Sequence, residues 1–363
     1  MEKFGIITHY DVHNHGALLQ LTALIKVLEN LGIEAKALRF DKNYDFMGYK
    51  MKAKYNPSLQ SLGIYLKYII SKGINCTFYN YLKSKTLSKY KKDKEIVGDY
   101  YSESPNLDCV IIGSDEVFAL HTGPTPVFFG YCLPTEKVIS YAGSFGPTKL
   151  KEIHQLHATN FVSSGLKNMK HITVRDINSS DIIQNLIDYR PTIVVDPVLL
   201  YGFKNEINIL KSPKIKNYLL VYAYDNRMNS KEEIEFIKNY AKSKNLKIVS
   251  AGFYHSWCNY NIDVDPINLL SYFKNAFEVI TDTFHGSIMS IITNAKFIVK
   301  TREENHFKLK SLLNEFDLED RILENWKNIN EVMEPNINYK KINDLVEKRR
   351  HESLNELICM IKN

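Results

Sequence analysis

Short apolar runs alternate with helix-period segments along nearly the whole chain, and this alternation narrows the fold more than any other feature. An apolar run, a helix and a second apolar run read as a βαβ unit, so the pattern predicts α/β architecture with mainly parallel sheets. In the first set, Phe4–His9 reads as a strand, Ala17–Leu31 as an amphipathic helix ended at Gly32, and Glu34–Phe40 as a strand. Leu107–Gly113, Val138–Ala142, His171–Arg175 and Thr192–Val195 continue as buried strands, with helical Leu150–Ser163 and a helix capped near Ser179 between them. A second set runs through strand Tyr218–Tyr224, helix Lys231–Lys242, strand Leu246–Ala251, helix Ile267–Asn275, strand Phe277–Thr281, a helix after His285 and strand Lys296–Lys300. Gly202, Asn205 and Pro213 give the stretch after Asp196-Pro197 the character of a linker. Ile342, Leu345, Val346, Leu354, Leu357, Ile358 and Ile361 give the tail a helical period.

A chain of 363 residues is long enough for two cores. We therefore expect an N-terminal Rossmann-like domain over 1–196 with a basic helical insertion near 48–95, a second Rossmann-like domain over 216–335, and a C-terminal helix over 336–363. Hydrophobic content of 44% and charged content of 24% are those of a soluble globular protein. "MEKFGIITHY" reads as a first strand rather than a signal peptide, and nothing approaches a membrane span. The five cysteines (Cys76, Cys109, Cys132, Cys258, Cys359) are scattered without a CxxC pair, which points away from disulfides and zinc and towards a reduced cytoplasmic protein. The net charge of +6 is uneven: from Lys42 to Lys94, twelve lysines face only Asp45 and Asp93. Beside apolar "IYLKYIISKGI", such a segment suits peripheral contact with an anionic membrane surface or an acidic ligand, against the plainer reading of a solvated face. No nucleic-acid motif is present, and no nucleic-acid partner is expected.

In open α/β sheets ligands bind outside the carboxyl ends of strands, and the unusual polar residues fall there. Asn14, His15 and Gly16 precede the first helix; Ser114 and Asp115 follow "VIIG"; Ser144 follows "SYAG"; Arg175 ends "ITVR". In "VITDTFHGSIMS", His285, Gly286 and Ser287 open a helix behind a strand. The free N–H groups at a helix start suit an anion or a cap, and a histidine there adds a titratable proton. The plain alternative is that Thr283 caps the helix and His285 points to solvent or into a satisfied pocket. Walker, GxGxxG, HExxH and GxSxG motifs are missing, and no acidic cluster demands a metal. An anion site, a histidine acid and a carboxylate together suit group transfer from a phosphorylated donor to an alcohol.

"NHGALLQLTALIKVLENLG", "LDCVIIGSDEVF", "VISYAGSFG", "ITVRD", "VVDPVLL", "VITDTFHGSIMSI" and "LKSLLNEFDLEDRI" occur in the order seen in polysaccharide pyruvyl transferases, and the chain resembles that family from Asn14 to about Ile322. The resemblance implies a fold like GT-B glycosyltransferases: two Rossmann-like domains across a cleft, with a C-terminal helix packing back on the first. It implies transfer of the enolpyruvyl group of phosphoenolpyruvate, a co-substrate, onto two hydroxyls of a sugar or lipid-linked oligosaccharide, giving a pyruvate ketal with no cofactor. By resemblance His285 is the acid and Asp115 the cleft aspartate. Arg175 is the anion-binding arginine, with Asn14, His15, Gly16, Ser114, Ser144, Gly286 and Ser287 as further substrate-binding candidates. Thr283 stands where studied members carry a basic residue, so either Arg302, Lys300 or Lys308 replaces it or the donor differs. The alternatives are a glycosyltransferase using a nucleotide-sugar on the same fold and a non-catalytic glycan-binding relative.

Overall fold

The computed structural model describes residues 2–41, 70–104, 106–302 and 305–362. The first half contains β1 (Lys3–Ile7), α1 (His15–Asn30), β2 (Glu34–Arg39), α2 (Ile74–Asp93), β3 (Val97–Tyr100), β4 (Cys109–Ile112) and β5 (Val138–Gly143). It continues with α3 (Leu150–Gln155), α4 (Thr159–Lys167), β6 (His171–Val174), α5 (Ile177–Ile187) and β7 (Thr192–Ile193). These strands form one sheet in the order β3-β2-β1-β4-β5-β6-β7, with every pairing parallel. Two short helices follow, α6 (Pro197–Tyr201) and α7 (Lys204–Ile209).

The second half contains β8 (Tyr218–Tyr222), α8 (Lys231–Ser243), β9 (Lys247–Ala251), β10 (Tyr260–Ile262), α9 (Pro266–Lys274), β11 (Glu278–Thr281) and α10 (Phe284–Ile292). After these come β12 (Phe297–Lys300), α11 (His306–Glu315), β13 (Ile322–Leu323), α12 (Ile329–Met333) and α13 (Tyr339–Lys362). Its sheet is also parallel, in the order β10-β9-β8-β11-β12-β13.

Central strands such as β4 and β8 are buried at every residue because helices cover both faces, which is why they read as unbroken apolar runs. Helix α1 is buried almost all round, from His15 to Ile25 and at Val27 and Leu28, because it lies between the two halves. It packs on α6 and α9, and its leucines join one continuous core with Leu269, Phe273 and Ile288 of the second half. The tail is helical as expected and returns to the first sheet. Ser353 Oγ accepts from Val195 N at 3.0 Å, Arg349 Nη2 donates to Ile193 O at 3.0 Å, and Lys137 Nζ donates to Ile361 O.

Some local expectations change. The helix expected over Leu150–Ser163 is two helices, divided where His157 takes a left-handed φ of 52°. The stretch after Asp196 is not an open linker, since Pro197 sits in the first turn of α6 and Asp196 caps it. Edge strands β3, β10 and β13 are short and only partly buried, so no apolar run announces them. The basic insertion supplies α2, and its part before residue 70 lies outside the described residues.

Candidate functional site

The carboxyl ends of strands from both sheets border one cavity of about 560 Å³. From the first half, β4 delivers Asp115, β6 delivers Arg175 and β7 delivers Asp196. Asp115 adopts φ 78°, a left-handed conformation that costs a non-glycine residue roughly 1–2 kcal/mol, and its carbonyl accepts from Ser144 N at 3.0 Å. Arg175 joins two carboxylates: Nη1 donates to Asp196 Oδ2 at 3.2 Å and Nη2 to Asp115 Oδ1 at 3.1 Å. Asp196 Oδ1 accepts from Val198 N at 3.0 Å as the cap of α6, while Oδ2 also accepts from Ser114 Oγ at 3.2 Å.

The second half brings α10 against this set. Thr283 does cap the helix, accepting from Gly286 N at 2.9 Å, yet His285 is neither solvent-facing nor hydrogen-bonded away. Among the described residues its buried Nε2 has no hydrogen-bond partner, and it stands 3.6 Å from Asp196 Oδ2, beyond hydrogen-bond length but close enough for strong charge coupling. Phe284 lies under the Arg175 guanidinium, with Cζ 4.5 Å from the ring centroid.

The electrostatics follow from these contacts. Burial raises the Asp115 carboxyl, but Arg175, then His285, His9 and Lys308, outweigh it and hold the group well below the usual carboxylate range. Burial also opposes ionisation of Asp196, and His285 and Arg175 likewise overcome it. Glu116 is lowered against burial chiefly by Lys308, whose Nζ donates to its Oε1 at 2.7 Å. At Asp282 burial wins over Arg302 and Arg227, so that carboxyl is raised.

Not every expected residue faces the cavity. Asn14 lines it, capping α1 through Gly16 N at 2.9 Å and donating to Tyr224 OH at 3.3 Å. His15 does not: its ring is fully buried, with Nε2 2.7 Å from Val264 O, and burial drives it down to about 3. Gly16 acts through its lack of a side chain, because a Cβ there would lie 2.5 Å from the His285 ring. Ser114 and Ser144 are buried and committed to Asp196 and Asp176. The Gly286 and Ser287 N–H groups and the Ser287 hydroxyl are all bound to Thr283, which leaves them no role as a free anion nest. Arg302 is tied to Asp282 at 2.8 Å and Glu233 at 3.0 Å, and Lys300 to the Leu323 and Glu324 carbonyls; of the three expected replacements only Lys308 borders the cavity.

Sequence reasoning missed Asp196 and Arg227 as site residues. Asp196 was visible as the Asp-Pro pair behind a strand. Arg227 follows the carboxyl end of the central strand β8, the position where the strand-end rule would have sought it; its Nη1 donates to Asp282 O at 3.4 Å.

Among solved structures the chain is similar to UDP-N-acetylglucosamine 2-epimerase from Rickettsia bellii, with TM-score 0.52 and 11% identity over 98% of this chain and 96% of that one. It is also similar to UDP-GlcNAc 2-epimerase from Neisseria meningitidis bound to UDP-GlcNAc, with TM-score 0.51 and 12% identity over all of both chains. The S. aureus MnaA-UDP co-structure gives TM-score 0.51 and 12% identity over 98% of this chain and 91% of that one. At such identities the likeness shows the fold alone, which is GT-B as the sequence predicts. No curated protein sequence is similar enough to match. A family model described as polysaccharide pyruvyl transferase matches residues 14–304, most of the chain, and of the residues lining the cavity only His9, Val12, Asn305 and Lys308 fall outside that match. The chain belongs to the polysaccharide pyruvyl transferase family.

Proposed function

We propose that the protein transfers the enolpyruvyl group of phosphoenolpyruvate to two hydroxyls of one sugar in a cell-surface glycan or its lipid-linked precursor, forming a cyclic ketal and phosphate. The observation that carries this reading is the meeting of His285 from one half with Asp196, Arg175 and Asp115 from the other. A proton on the His285 imidazole, 3.6 Å from the Asp196 carboxylate, passes to the methylene carbon of the donor and leaves an oxocarbenium centre. A sugar hydroxyl adds to that centre and yields its proton to Asp115, held ionised for the purpose. Phosphate then departs with the bridging oxygen, the second hydroxyl closes the ring, and its proton leaves with phosphate or through His285. Per turnover the two hydroxyls release two protons, one ending in the new methyl group and one on phosphate.

The Arg175 Nη groups are spent on the two aspartates, so we assign it to positioning them, a change from the anion-binding role that the resemblance implies. Arg227 and Lys308, the latter with N–H donors beyond the one given to Glu116, then hold the donor's phosphate and carboxylate. The lysine-rich stretch supports a lipid-linked acceptor at the inner membrane face. Described α2 exposes Ile74, Phe78, Tyr81 and Leu82 beside its lysines, and among the described residues no helix is long and apolar enough to cross a membrane. Incubation with phosphoenolpyruvate and a panel of soluble and lipid-linked sugars, with phosphate release followed, tests the reaction. Binding of a nucleoside diphosphate without phosphate release from phosphoenolpyruvate would favour the glycosyltransferase alternative instead.

A further inference from the structure

Helix α2 turns one of its lysines inward. Lys83 is 4% exposed, and its Nζ rests 4.2 Å from the centroid of the Phe253 ring. Among the described residues it makes no hydrogen bond or close ion pair; Asp225 and Asp263 act on it only at longer range. Burying an ammonium in this way is costly unless something completes its surroundings. Lys83 borders a second cavity of about 330 Å³, to which Lys72 adds a second ammonium, His13 an imidazole that burial and Lys83 push towards its neutral form, and Asp225 the one carboxylate among the described residues. Asp225 is already oriented, accepting from Tyr254 N at 2.9 Å and Asn80 Nδ2 at 2.9 Å. Tyr224 and Phe253 line this cavity and the main one alike, so a chain of linked sugars reaching from one to the other crosses their rings.

We propose that the second cavity binds an acidic group of the acceptor glycan, a phosphate or carboxylate held by Lys83 with His13 and Lys72, one step from the sugar that is modified. The polarity of the lining fits: among the described residues the two ammonium groups of Lys83 and Lys72 outnumber the single fixed carboxylate, and the aromatic wall offers a face to the C–H side of a sugar ring. This assignment rests on reading the main cavity as the transferase site.

The test is equilibrium binding, which requires no turnover. Glucose 1-phosphate, glucuronic acid and methyl glucoside are titrated into wild type, Lys83→Met and Lys72→Gln, with phosphoenolpyruvate titrated in parallel. The acidic sugars should bind at least ten-fold more tightly than the neutral glycoside, and Lys83→Met should weaken them by roughly 10- to 100-fold, the worth of a charged hydrogen bond. Lys72→Gln, at the rim, should give a smaller loss. A stronger effect on the sugar phosphate identifies a phosphate-linked acceptor, and a stronger effect on the uronate a carboxylated one; both support the site. Equal binding of acidic and neutral sugars, or acidic-sugar affinity unchanged in Lys83→Met, would overturn it and leave Lys83 as a cation–π contact. Phosphoenolpyruvate affinity lost as heavily as acidic-sugar affinity would also overturn it, by showing that the main cavity had collapsed. Retained acidic-sugar binding in a protein that ignores phosphoenolpyruvate would sink the transferase reading and keep the subsite.

Discussion

Two helices of this molecule carry His-Gly in their first turn, directly after the Asn14 cap in α1 and one residue after the Thr283 cap in α10, and the two histidines have opposite surroundings. At the start of α1, Asn14 caps and His15 turns into the core, fully enclosed and bound to the Val264 carbonyl. At the start of α10, Thr283 caps and His285 faces a carboxylate and the main cavity. The two motifs touch, because Gly16 of the first leaves room for the ring of the second. The same local chemistry thus serves as packing in one copy and as a candidate acid in the other. The difference comes from the neighbours: α10 meets Asp196 and Arg175 of the other half, whereas His15 meets Gly252, Phe253 and a backbone oxygen.

The largest expected effect separates the two histidines by activity. His285→Ala should lower turnover by roughly 100- to 10,000-fold with the circular dichroism spectrum retained, whereas His15→Ala should act on stability. Equal turnover losses in the folded fractions of both variants would break the contrast. The next effect separates them by acid sensitivity. The pKa of His15 is about 3 in the folded protein and near 6.5 when unfolded, so below pH 6.5 the unfolded chain takes up a proton that the folded one refuses. Stability is therefore lost as pH falls from about 6.5 towards 3, with a slope of about 1.4 kcal/mol per pH unit and a total of order 4–5 kcal/mol. Urea midpoints of wild type and His15→Phe between pH 4 and 7.5 should converge as pH falls; parallel lines would show that His15 titrates freely.

Gly16→Ala tests the contact between the motifs. A Cβ 2.5 Å from the His285 ring must displace the ring or the helix, at a cost of about 1–3 kcal/mol, and turnover should fall with it. A variant with wild-type turnover and melting temperature would mean that the two helix starts are not packed as described. The smallest effect concerns Lys83, which burial pushes down to about 8. Its pKa is below the unfolded value, so its charge costs stability at neutral pH. That cost is relieved as pH rises from about 8 to 10.5, while Asp225, Asp263 and Cys76 act in the opposite direction to burial. Lys83→Met should be more stable than wild type by about 1–3 kcal/mol at pH 7, with the gap narrowing in alkali. A melting curve showing wild type the more stable at pH 7 would place a compensating partner beside the lysine.

The parallel α/β plan was legible because central strands buried on both faces must be apolar throughout, as "CVII" and "YLLVY" are. Edge strands β10 and β13 were not, since a strand with one neighbour and partial burial carries no such run. For the site, strand-end position singled out Asp115, Arg175 and His285 correctly as neighbours of one cavity. It failed at His15, which shares that placement but faces inwards, because the direction of a side chain at a helix start depends on tertiary partners absent from the local sequence. Gly286 and Ser287 show a related limit. An open helix start and one already closed by Thr283 look alike until hydrogen bonds are traced.

The return of α13 to the first sheet has a consequence for the order in which the chain is made. Val195 N, Ile193 O and the Lys137 ammonium all find their partners on residues 349–361, so these groups at the β5–β7 side of the first sheet wait for partners synthesised much later than themselves. A ribosome adds about 5–20 residues per second, which leaves that side uncovered for roughly 10 s or more after Ile193 emerges. The first half therefore cannot reach its final form until residues 349–361 have been made and have folded back over it.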